Sequence, residues 1–181
     1  MRSVFEVVFN LVGLVLGFTL VEVLAGLAKT LRARRLIRIG WLTPLLGVWI
    51  LFDVTTFWGS AWALRDLLPS VWQCLGVGLV ITSVYYLAAS QVFPEHLAAH
   101  QELDPHYWQV KRFVVGLVFA CNIATWVIEV LLGRIWAPVV LVINLLYAAT
   151  LVALILVPGK RSTVALLLTL IGILIWGFVI P

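Results

Sequence analysis

Residues 138 to 180 read PVVLVINLLYAATLVALILVPGKRSTVALLLTLIGILIWGFVI, and the spacing within this stretch decides the fold. Two uncharged apolar runs, each close to the ~20 residues an α-helix needs to cross the hydrocarbon of a bilayer, are parted only by the break at Pro158-Gly159-Lys160-Arg161. Proline and glycine side by side end one helix, and the basic pair opens the next. Lipid offers no water to unpaired backbone groups, so each run has to satisfy its own N–H and C=O groups, which an α-helix does.

Working outward, the same pattern recurs along the chain, with apolar runs near 4–28, 41–64, 68–92, 112–132, 136–157 and 162–180. Pro69, Pro94, Pro105, Pro138 and Pro158 fall at or near run ends, and Pro44, in the first turns of the second run, is the one proline placed to kink a helix. The composition agrees: 64% of the 181 residues are apolar and 11% charged, against about 45–50% and 25% in soluble domains. The expected fold is all-α, a polytopic membrane bundle of six transmembrane helices forming a single integral membrane domain over 1–181. Residues 93–111 are read as an amphipathic loop lying on the cytoplasmic surface. The first run, preceded by Arg2 alone, exceeds the roughly 7–15 residues of a signal-peptide core and lacks an A-x-A site, so it is expected to remain as a helix.

The net charge of +4 belongs to topology rather than to nucleic acid, because the basic residues flank the apolar runs. Lys29, Arg32, Arg34, Arg35, Arg38, Lys111, Arg112, Lys160 and Arg161 fall on one side; Arg2, Arg65 and Arg134 fall on the other. The positive-inside rule then places both termini outside, with the first, third and fifth loops in the cytoplasm of a bacterial-type inner membrane. Trp41, Trp62, Trp72, Trp108 and Trp136 lie near run ends, where an interfacial aromatic belt belongs. Cys74 and Cys121 lie inside runs without a C-x-x-C pair and read as small buried residues.

VEVLAG at 21–26 resembles IEVLLG at 128–133, and each is followed by a Trp and then a Pro. A duplication would relate spans 1–3 to spans 4–6 as two inverted three-helix repeats, since three spans reverse the orientation. Coincidence is the competing reading, because Val and Leu matches are common in membrane helices.

Ionisable residues inside a span cost on the order of 2.5–3.5 kcal/mol by insertion scales and usually face a bundle interior or a wet cavity. Asp53 lies near the middle of span 2, with Trp49, Thr56, Phe57 and Ser60 on its helical face. Glu129 continues a stripe with Asn122 and Thr125 in span 4, and Glu22 sits near the basic end of span 1. No Lys, Arg or His lies within a span to neutralise them, so each acid is expected to hold a proton, bind a cation or hydrogen-bond a neighbouring helix. Asn10, Asn122, Asn144, Thr82, Ser83 and Tyr147 are the candidate partners. Gly13 and Gly17 form a GxxxG pattern, suited to close packing within the chain or to a dimer seam.

The histidines, His96, His100 and His106, all lie in the third loop. His96 and His100 are four apart and form a weak metal candidate, against the plainer reading of a solvated amphipathic segment. No P-loop, dinucleotide fingerprint or in-span histidine is present, so neither an enzyme nor a resident cofactor is expected. The expected function is a secondary transporter or channel for a proton, cation or small solute, with Asp53, Glu22, Glu129, Asn122, Thr125, Thr56 and Ser60 as its intramembrane polar residues. The alternative is a non-catalytic scaffold or subunit of a larger membrane complex. The lipid bilayer is the expected partner, together with a second copy or a larger membrane complex, and no nucleic acid.

Overall fold

The computed structural model describes residues 4–35, 37–67, 71–95, 102–134 and 137–179. Among them lie six helices: α1 (Val4–Arg32), α2 (Leu42–Ala63), α3 (Val71–Ser90), α4 (Leu103–Leu131), α5 (Pro138–Leu156) and α6 (Lys160–Val179). All six are long and apolar enough to cross a membrane, and the described residues contain no named strand.

Local signals set the helix ends. Pro138 stands in the first turn of α5, and Val157, extended ahead of Pro158, ends that helix. Pro44 does not interrupt α2. It occupies the first turn, where a missing N–H leaves no helical bond unmade. At the end of α4, Gly133 adopts a left-handed φ of 79°. Its N–H donates to the Val130 carbonyl at 3.0 Å and the Arg134 N–H to the Glu129 carbonyl at 2.9 Å, which is the pairing of a Schellman cap.

The helix α2 is the central one. In its most apolar window 44% of the residues are buried, against 22–33% in the other five helices, and it packs on α1, α3, α4 and α6. α1 lies along α3, and the outer ring continues through α4, α5 and α6. No Cα of α5 comes within 8 Å of one in α2. That spacing leaves room inside the bundle between them.

Two expectations change. α4 starts at Leu103 rather than at 112, so the segment to Lys111 is no surface loop but the first turns of a 29-residue helix. The reason is a buried stripe that runs through Leu103, Tyr107, Lys111, Val114, Val118, Cys121, Thr125 and Glu129 without a break. Leu103 and Tyr107 thus pack into protein, not into lipid. The two halves also pack differently: α1 runs along α3, whereas no Cα of α4 comes within 8 Å of one in α6. Inverted repeats would share their internal packing, so the duplication finds no support there. Trp41, Trp62 and Trp72 are well exposed at helix ends, as a belt requires. Trp136 lies outside the described residues.

At the basic ends of the helices, polar contacts tie the connections together. Arg38 pairs with Glu102 at 3.2 Å, and Lys160 pairs with Asp104. The Thr43 hydroxyl donates to the Leu103 carbonyl at 3.2 Å, His106 Nε2 lies 3.1 Å from the Gln91 carbonyl, and the Lys29 ammonium donates to the Glu95 carbonyl.

Candidate functional site

Asp53 is fully buried at the middle of α2. Its Oδ2 accepts from the Tyr85 hydroxyl of α3 at 2.8 Å and from Asn122 Nδ2 of α4 at 3.2 Å. Its Oδ1 accepts from the Tyr147 hydroxyl of α5 and from the same Asn122 amide at 3.3 Å. One carboxyl therefore joins four helices. Tyr147 in turn accepts from Trp49 Nε1 at 3.0 Å, so its single proton is directed at Asp53. Asn122 is oriented by its second amide proton, given to the Val118 carbonyl at 3.0 Å.

Every donor to Asp53 is neutral. Hydroxyls and amides can solvate a carboxylate, but they leave its charge uncompensated in a low-dielectric interior. The Tyr85 oxygen accepts from Asn122 Nδ2 at 3.4 Å and the Tyr147 oxygen from Trp49 Nε1, so both hydroxyl protons are given to the carboxyl. The site is thus a set of neutral donors from three helices converging on one buried carboxyl.

A cavity of about 500 Å³ lies among α2, α4, α5 and α6, in the gap left by the distance between α2 and α5. Asn122 and Tyr147, two of the Asp53 donors, form its deep wall, and Thr56, Ser60 and Asn144 add polar groups toward the helix ends opposite the basic loops. Toward the basic loops the bundle closes, with Leu46, Ile50, Leu151 and Leu154 fully buried. A second cavity of about 210 Å³, among α1, α2, α3 and α4, shares Phe57 and Thr125 with the first and is otherwise walled mainly by apolar side chains such as Val12, Val77 and Ile81.

The structure brings Asp53 and Asn122 together, and Asn122 shares the cavity wall with Thr56, Ser60 and Thr125. The hydroxyls of Thr56 and Thr125 are turned to backbone carbonyls of their own helices, at 2.7 and 2.9 Å. Glu129 and Glu22 are placed elsewhere. Glu129 is buried, and Arg134 Nη1 donates to its Oε1 at 2.6 Å. The expectation that no cation reaches these acids fails there, because the turn at Gly133 folds the adjacent loop arginine back over the helix end. Glu22 lies exposed on α1, which among the described helices packs on α2 and α3, so it does not face the bundle interior.

Tyr85 and Trp49 complete the network, and neither was assigned that role from sequence. The signal for Tyr85 is its position deep in a span, since membrane tyrosines otherwise favour the interfaces. His96 and His100 lie outside the described residues, and the described residues contain no grouping of acids, Cys and His suited to a metal ion. Gly13 packs within the chain, where a methyl group in place of its hydrogen would lie 3.2 Å from the Trp58 ring, while Gly17 faces open space.

No family model, curated protein or solved structure matches this chain. The functional reading therefore rests on the geometry.

Proposed function

We propose that this protein is a small secondary transporter that moves a proton, a cation or a small solute coupled to one, with Asp53 as the group that changes charge. The observation that carries this reading is the cavity whose deep wall is made of two Asp53 donors, Asn122 and Tyr147. A buried mid-span carboxyl whose donors line a cavity on one side, with a layer of buried leucine and isoleucine on the other, suits alternating access better than a continuous pore. A proton entering the cavity meets the Tyr147 oxygen or the Asn122 amide before it meets Asp53.

A second reading, the non-catalytic scaffold or subunit, is favoured by the way Asp53 ties α2 to three other helices. One experiment separates the two. In proteoliposomes loaded for pH-jump and cation-gradient flux, Asp53→Asn should abolish flux while the purified protein stays folded, because the amide keeps the shape of the carboxyl but cannot change charge. Full flux in that variant would remove Asp53 from the pathway. No flux in the wild type across a panel of monovalent and divalent cations would turn the assignment to the scaffold. The cellular setting in this proposal is a bacterial inner membrane, with the basic loops in the cytoplasm. A second copy or a larger membrane complex would be the lateral partner.

A further inference from the structure

The connection between α5 and α6 runs beside the first turns of α4, and a cavity of about 330 Å³ lies between them. Trp108, Lys111 and Arg112 line it from α4, with Ile155, Leu156 and Pro158 opposite. Lys111 is only 3% exposed. Its ammonium donates to the Val157 carbonyl at 2.5 Å and sits 4.8 Å from the centre of the Trp108 ring. An ammonium has three protons to give, and the carbonyl takes one. The acids nearby in sequence are already engaged, Asp104 with Lys160 and Glu102 with Arg38. Among the described residues, neither Lys111 nor Arg112 forms a salt bridge.

A buried cation with no counter-ion is costly, yet here one is held beside a second cation on the wall of a cavity. The cavity is also two-faced. Ammonium and guanidinium groups stand on one wall, while Ile155 and the exposed Leu156 continue as an apolar surface along α5. It sits where one span ends and the next begins, with an aromatic ring at the same level, which is the depth of lipid headgroups.

We propose that this cavity binds a phosphate group of an anionic membrane lipid, with Lys111 and Arg112 as donors and the α5 surface beside an acyl chain. Basic pockets between spans hold such headgroups through charge and hydrogen bonding together. The assignment is independent of whether the protein transports anything.

The test uses the full chain in detergent micelles, titrated with phosphatidylglycerol or phosphatidylcholine and read by native mass spectrometry. Wild type should retain phosphatidylglycerol well beyond phosphatidylcholine. Arg112 is exposed, so Arg112→Gln leaves packing intact and should weaken phosphatidylglycerol binding about fivefold, roughly the worth of one basic residue beside an anionic surface. Lys111→Gln should weaken it at least as much. Arg35→Gln, in the connection between α1 and α2, should leave it unchanged. Inorganic phosphate at millimolar concentration should fail to displace the lipid. Displacement that also depends on Arg112 would transfer the same donors to free phosphate and overturn the lipid assignment. Equal retention of the two lipids, or an equal loss in Arg35→Gln and Arg112→Gln, would overturn the site itself.

Discussion

At the scale of single residues, the Asp53 network makes unequal predictions for its two tyrosines. Tyr85→Phe removes one hydroxyl and leaves its partners Asp53 and Asn122 bonded to others, so the expected loss is about 0.6 kcal/mol, typical of hydrogen bonds between membrane helices. Tyr147→Phe removes a donor to Asp53 and also strips the acceptor from the buried Trp49 N–H. An orphaned donor costs more than a lost bond, so the loss should rise to about 1–3 kcal/mol. Reversible unfolding in mixed micelles measures both, and equal costs would show that Trp49 does not depend on Tyr147. Arg134 is about one-third exposed (34%), which limits its ion pair with Glu129. Arg134→Gln is expected to cost about 1 kcal/mol. Gly133→Ala has to hold a left-handed φ and should cost ~1–2 kcal/mol. The double variant should lose less than the sum, because Gly133 is what positions Arg134.

Between elements, one aromatic ring and one gap determine how the helices sit. The Phe93 ring, just beyond α3, lies where a methyl group on Gly26 of α1 would be 2.2 Å away and one on Gly47 of α2 3.1 Å away. Gly26→Ala must push that ring aside and is expected to destabilise by about 1–3 kcal/mol. Gly17→Ala, with open space beside it, should change stability by less than ~0.5 kcal/mol. The gap between α2 and α5 makes a separate prediction about water. In a background with Cys74 and Cys121 replaced, Ser60→Cys and Asn144→Cys should react with a membrane-impermeant thiol reagent, whereas Leu151→Cys, in the buried layer below, should not. Protection of both cavity positions would mean that the space is filled by lipid and would count against the transport reading.

For the whole molecule, alternating helices bring the α1–α2, α3–α4 and α5–α6 connections to one end, and that end carries most of the Lys and Arg. The charge asymmetry predicts that reporter fusions after Arg35, Arg65 and Lys160 read cytoplasmic, external and cytoplasmic. The reverse order would move the Asp53 cavity to the cytoplasmic face. It would also place the Lys111–Arg112 pocket in the outer leaflet.

The sequence by itself determined that six helices form and roughly where each lies, because a bilayer requires a run of apolar residues for every crossing and the runs here are parted by proline, glycine and charge. It also marked Asp53, Asn122 and Tyr147 as polar groups in the wrong solvent, which is a property of composition and depth alone. What only the tertiary structure decided is which of those groups meet. Helical spacing gives the face a residue occupies on its own helix but not the neighbour that face is turned to, so Tyr85 and Trp49 joined Asp53 unannounced, and Glu22 turned outward while Glu129 turned in. Residues 93–111 read as an amphipathic surface segment because polar side chains alternate with apolar ones there; only the contacts of Leu103 with α2 and of Lys111 with the end of α5 show which side is buried. The cavities, too, are tertiary: they exist because α5 stands away from α2 and because the α5–α6 turn sits beside α4, distances that no single span encodes.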